Sequence, residues 1–139
     1  MSLSLATVTD QTVPPGRPIE LAGRGTTFVV DIAGPPGAPT VFLLHGLVAS
    51  TYLNWFPAFA DLSAHFRVVA MDLRGHGRGI PLSGRRFRFA DCADDAVLAA
   101  DQLGIERFIV VGYSLGGPVA QMVWRRHPER VQGLVLAAT

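Results

Sequence analysis

Two kinds of hydrophobic pattern alternate along the chain. Val41–Leu44, Val68–Met71, Phe108–Val111 and Leu134–Ala138 are apolar at every position. Short runs without a polar face predict strands buried on both sides, as in a parallel sheet. Between them, apolar residues recur at intervals of three and four. Ser50–His65 carries Leu53, Phe56, Phe59, Ala60 and Leu62. Asp91–Leu103 carries Val97, Leu98, Ala100 and Leu103 and stops at Gly104, and Leu115–His127 stops at Pro128. These spacings and stop signals predict three helices. Thr26–Ile32 reads as a further strand before a Gly-Pro-Pro-Gly turn. Residues 1–25 are polar and punctuated by Pro14, Pro15, Gly16 and Pro18. They predict a partly flexible arm with a weak strand near Ile19–Leu21, followed by one domain over 26–139. The order β-β-α-β-α-β-α-β predicts an α/β fold: an open, mostly parallel, doubly wound sheet with helices on both faces.

Composition narrows the classes of function. The 139 residues are 49% hydrophobic and 17% charged, enough to build a packed core. A net charge of +1 argues against nucleic acid as a partner. A lone cysteine, Cys92, excludes an internal disulfide and reads as buried and inert. No run of 18 apolar residues predicts a membrane span, and Met1–Ile19 lacks the pattern of a signal peptide. The expectation is a cytoplasmic protein.

The chemistry concentrates at Gly112-Tyr113-Ser114-Leu115-Gly116, a G-x-S-x-G pattern between a buried strand and a helix. A turn this sharp leaves no room for side chains at Gly112 and Gly116 and strains the backbone of the central serine. Ser114 is the candidate nucleophile, standing where the next helix aims its N–H groups at a developing oxyanion. Tyr113 is a candidate substrate-binding residue beside it. His45-Gly46-Leu47 follows the strand Val41–Leu44, where an acyl-transfer site draws its second oxyanion donor. The backbone N–H groups of Leu47 and Leu115 are therefore the candidate oxyanion hole. His45 is read as a structural residue fixing its loop. Asp72-Leu73-Arg74-Gly75-His76-Gly77 reads as a hydrogen-bonded turn, with Arg74 near Asp72; no further His or Cys nearby would complete a metal site.

In this order and spacing, His45-Gly46, Asp72–Gly77 and Gly112–Gly117 resemble the N-terminal half of an α/β-hydrolase, over roughly Thr26 to Thr139. The similarity is to the bacterial esterase, epoxide-hydrolase and cofactor-free haloperoxidase branch. It implies Ser114 as nucleophile, Leu47 and Leu115 as oxyanion donors, and neither cofactor nor metal. A serine at the elbow, where epoxide and haloalkane hydrolases carry aspartate, implies a small-molecule ester, thioester or similar acyl substrate. The family's triad runs Ser, Asp or Glu, then His. Downstream of Ser114 stand only His127 and Glu129, at the far end of the helix. That is about 20 Å away at ~1.5 Å per residue. His45, His65 and His76 all precede the serine. The resemblance thus implies a sheet truncated after the strand that follows the nucleophile helix, and an inactive fragment unless another part supplies acid and base. The alternative is a non-catalytic remnant, or a protein-binding piece that pairs with itself or a partner chain through an exposed last strand.

Trp55, Phe56 and Phe59 are read as core rather than acyl pocket. Arg85-Arg86-Phe87-Arg88 is read as a solvated loop whose charge nearby acids offset, with an anionic ligand site as the alternative.

Overall fold

Successive residues of a strand face opposite sides of its sheet, and in the central strands both sides are apolar. Val41 and Leu43 face one way, Phe42 and Leu44 the other, and all four are buried. The computed structural model describes residues 13–139. Its elements are β1 (Gly16–Leu21), β2 (Gly25–Ile32), β3 (Thr40–Leu44), α1 (Thr51–Ser63) and β4 (Arg67–Met71). Then come α2 (Phe89–Gln102), β5 (Phe108–Tyr113), α3 (Gly116–Arg126) and β6 (Val131–Ala137), with a 3₁₀ turn at Pro128–Arg130.

The six strands form one sheet in the order β1-β2-β4-β3-β5-β6. β3 runs parallel to both β4 and β5, and β5 runs parallel to β6, while β1, β2 and β4 are joined by antiparallel pairing. The sheet is therefore mixed, with a parallel half carrying the motif loops. α1 covers one face, packing Phe59 on Phe28, Val30, Val68 and Ala70. α2 and α3 cover the other, where Ala93, Ala96, Val119 and Val123 meet Phe42, Val69, Met71 and Phe108. The small residues of α2 let that helix lie close to the sheet.

Several boundaries differ from the sequence reading. β1 begins at Gly16 and pairs with β2 along its whole length, from Gly16↔Val30 to Leu21↔Gly25. Pro18 does not prevent this, because an edge strand has one side free of ladder bonds. The weak strand is thus longer than its apolar residues indicate; the part of the arm over 1–12 lies outside the described residues. β6 also starts earlier, at Val131, through the polar Gln132 and Gly133. α3 starts at Gly116 rather than directly after Ser114.

Candidate active site

The site forms where two neighbouring strands end. β3 and β5 are hydrogen-bonded in parallel, with Leu44 opposite Gly112. The loops that leave them, at His45 and at Tyr113, therefore emerge side by side at one end of the sheet.

Ser114 sits between β5 and α3 at φ +50°, a left-handed conformation that is costly for a non-glycine residue. That φ keeps it out of the right-handed helix and explains the later start of α3. The strained residue is held from both sides: its N–H donates to the Ala137 carbonyl at 3.0 Å, and its carbonyl accepts from the Gly117 N–H at 2.9 Å. A Cβ on Gly112 would collide with the Gly116 carbonyl, and one on Gly116 with the Leu44 carbonyl. The two glycines thus let strand, turn and helix close onto the neighbouring β3. Pro118 falls in the first turn of α3, where its missing N–H leaves no gap.

The β3 loop meets this turn directly. A Cβ built on Gly46 would lie 3.3 Å from the Ser114 Cβ and 3.3 Å from the Tyr113 ring. Leu47, next in the loop, is 65% exposed, and Val48 holds φ +53°. The residues singled out by sequence, Leu47, Tyr113, Ser114 and Leu115, thus lie on two touching loops. Trp55 packs against Tyr113 with ring centroids 6.4 Å apart in an edge arrangement.

Three side chains hold the β3 loop. The Gly46 N–H donates to Asn54 Oδ1 at 2.7 Å. His45 is fully buried; its Nδ1–H donates to the Gly46 carbonyl at 2.8 Å and its Nε2 accepts from the Leu73 N–H at 2.9 Å. Those bonds require the neutral ring, because a protonated Nε2 cannot accept. Desolvation by burial lowers the His45 pKa below its ordinary 6.5, against smaller opposing effects of the Gly46 carbonyl and Asp72. Asp72, also buried, accepts from the Thr51 N–H at 2.8 Å and the Arg78 N–H at 2.9 Å. It thereby ties the turn after β4 to the start of α1, supplementing the Ser50 cap.

The His45 environment predicts a pH dependence. Below about pH 6.5 the unfolded chain takes up a proton at His45 that the folded chain refuses, so stability falls as pH falls. The contribution is complete above that pH and is lost progressively as pH drops through the lowered folded value. Urea unfolding is expected to show this decline, at most about 1.4 kcal/mol per pH unit from one group. In His45→Asn that component of the slope should vanish; an unchanged slope would remove His45 as its source.

The expected Arg74–Asp72 contact does not form. Arg74 pairs instead with Asp95 of α2 through two hydrogen bonds of 2.9 Å, and Arg24 reaches the same carboxylate at 2.6 Å. Asp72 is already taken by backbone donors, so the guanidinium turns to the other buried carboxylate; that pairing raises the Arg74 pKa. Asp95 and Asn54 escaped the sequence reading. An acid among Cys92, Ala93, Ala96 and Ala99 on a buried helix face was the available signal for Asp95, whereas nothing local marks Asn54.

The remaining residues sit elsewhere. His127 contacts Asp94 at 2.8 Å, and Arg126 binds the same carboxylate through two hydrogen bonds, joining the end of α3 to α2. Burial pushes the Asp94 carboxyl up, but these bonds outweigh it and hold its pKa below the ordinary value. His65 is exposed after α1. Phe59 is core, while Trp55 and Phe56 are half-buried against it. Burial drives the Cys92 thiol up to about 12, keeping it protonated. Among the described residues no three His, Cys, Asp or Glu side chains gather as a metal cluster, and no helix is long and apolar enough to cross a membrane.

Residues 39–139 match the family described as alpha/beta hydrolase fold. This chain belongs to the alpha/beta hydrolase family. The hydrolase chain is 37% identical over 115 residues to an uncharacterised carboxylesterase of Bacillus subtilis, covering 81% of this chain and 37% of that protein. It is 38% identical over 118 residues to epoxide hydrolase B of Mycobacterium tuberculosis, covering 81% and 32%. A solved hydrolase from Pseudomonas aeruginosa superposes with a TM-score of 0.77 at 27% identity, over 87% of this chain and 44% of that one. The hydrolase chain spans about a third of the length of the curated relatives it matches.

Proposed function

We propose that the chain carries the nucleophile and oxyanion hole of a serine acyl hydrolase acting on ester, thioester or similar bonds of small molecules. The observation that carries this reading is Ser114 at φ +50° on the β5–α3 turn, with Gly46 of the β3 loop against it. Ser114 Oγ attacks the carbonyl as the base takes its proton, the acyl–oxygen or acyl–sulfur bond breaks to release the protonated alcohol or thiol, and water then hydrolyses the acyl-enzyme. The N–H groups of Leu47 and Leu115 receive the oxyanion, and Tyr113 borders the acyl group. Domain 26–139 is the N-terminal portion of the hydrolase domain, and a lone cysteine without an internal disulfide is compatible with a cytoplasmic setting. The acid and the base come from outside these residues: His45 spends its ring nitrogens on Gly46 and Leu73, His76 bonds the Arg74 carbonyl, His65 is exposed after α1, and His127 is occupied by Asp94. These 139 residues alone are therefore inactive.

The test is to fuse the chain to the C-terminal part of the Bacillus subtilis carboxylesterase and give it p-nitrophenyl acetate. Acid-quenched mass spectrometry is expected to find an acetyl group on Ser114, while the unfused chain turns over no faster than its Ser114→Ala variant. An active fusion acylated elsewhere would overturn the proposal.

A second reading is favoured by one observation. β6 lies at the sheet edge, with Val135 and Leu136 47% and 40% exposed. Such an edge is a template for strand pairing. If the chain acts as a binding piece, sedimentation shows a dimer joined through β6, and a Val135→Lys substitution dissociates it.

A further inference from the structure

The loop between β4 and α2 ends in three exposed arginines. Arg85, Arg86 and Arg88 line one cavity of about 360 Å³ together with Asp91. Of the acids expected to offset this run, Asp91 lines the cavity with it. Among the described residues, Arg24, Arg67, Arg74, Arg126 and Arg130 all form ion pairs, and Arg78 lies 4.6 Å over the Phe28 ring. None of the three cavity arginines appears in such a pair. Three guanidinium charges against one carboxylate leave two net positive charges in a small volume.

The start of α2 adds to this. Arg88 is its N-cap, in extended conformation, and no side chain caps the helix. Arginine has no acceptor to offer, so the N-cap side chain leaves the first-turn N–H groups of this 14-residue helix uncapped. Fork-shaped guanidinium donors and free backbone N–H groups both fit tetrahedral oxyanions.

We propose that this cavity binds a dianionic phosphoryl group. Its charge equals the net charge of the lining, and its oxygens outnumber what one guanidinium can satisfy. Asp91 faces the same space and opposes more highly charged anions; its carboxylate accepts from a hydroxyl beside the phosphoryl group. Because β4 is parallel to β3 and β5, the loop leaves the sheet at the end that also carries Ser114. Binding itself does not depend on the catalytic reading.

The experiment titrates the 139-residue chain with inorganic phosphate and, separately, phenyl phosphate, following backbone amide shifts and calorimetry. Saturable shifts centred on Phe89, Ala90 and Asp91 are expected. Arg85→Ala, Arg86→Ala and Arg88→Ala should each weaken binding about tenfold, the effect of one lost charge-assisted bond. Asp91→Asn should tighten it about fivefold by removing a like charge. Arg17→Ala, an exposed arginine on β1, should change nothing. Tighter binding of phenyl phosphate identifies a phosphorylated organic molecule as the source, and equal binding identifies free phosphate; either supports the site. Absence of saturable binding, shifts away from the start of α2, or equal weakening by Arg17→Ala would overturn it. Should a cavity variant fail to fold, the shift map of the unmodified chain decides alone.

Discussion

Ser114→Ala is expected to cut kcat/KM for p-nitrophenyl acetate by about 10⁴-fold or more in the fused hydrolase, by analogy with nucleophile deletions in serine proteases. The loss should fall on kcat and leave KM nearly unchanged, because the hydroxyl acts on the reacting carbonyl and contributes little to ground-state binding. The alanine inherits the same left-handed backbone, so the turn should keep its shape and the variant should melt close to the parent. A residual rate above uncatalysed hydrolysis would measure what the N–H groups of Leu47 and Leu115 supply without the nucleophile. A variant that retains a tenth or more of the parent's rate would show that another group attacks the ester.

Asp95→Ala is expected to lower the stability of the chain by about 3–5 kcal/mol, read from urea unfolding. The side chains of Asp95 and Arg74 are 2% and 7% exposed, and among the described residues no other carboxylate hydrogen-bonds to Arg74. Removing the acid leaves a buried guanidinium without its hydrogen-bonded partner and with only the more distant Asp91 charge to offset it. Arg24, one quarter exposed, can turn outward and loses less. The cost is specific to breaking the pair: the double replacement Asp95→Leu with Arg74→Met should recover much of it, since an apolar pair avoids the desolvation of both charges. The damage should also reach the candidate site. Arg74 anchors the turn after β4, and the neighbouring Leu73 N–H is the donor to His45, which in turn holds Gly46. Amide exchange at Leu73 and Gly46 should therefore quicken in Asp95→Ala even under conditions where the chain stays folded. A loss below about 1 kcal/mol would show that Arg74 finds water, as surface ion pairs do.

Much of this architecture could be read from residue order because it rests on local pattern. The apolar runs of β3, β4 and β5 have one meaning in a chain this short, and the three helices carry their own stop signals. The G-x-S-x-G turn was legible because sterics alone demand its two glycines. What was not legible depends on partners far apart in sequence. Arg74 and Asp95 are 21 residues apart and meet only because the turn after β4 folds back beside α2. Asn54 reaches Gly46 from within α1, on a helix whose rotation the apolar spacing fixes only roughly. The edges β1 and β6 were shortened in the reading because their polar residues need no core-facing partner on both sides. The start of α3 was misplaced by one residue, since a left-handed φ leaves no mark in composition.

The ladder between β3 and β5 has one more consequence. Leu44 and Gly112 are held opposite one another in the ladder, so the gap between the two loops at Ser114 starts from the spacing of neighbouring strands, about 4.8 Å, and their relative height from the strand repeat, about 3.3 Å per residue. Substitutions on the solvent faces of α1, α2 and α3 can accumulate without changing it, whereas a single insertion or deletion in either strand would displace one loop by a full residue and turn its side chains to the other face. The scaffold thus tolerates drift in residue identity and is intolerant of drift in residue count.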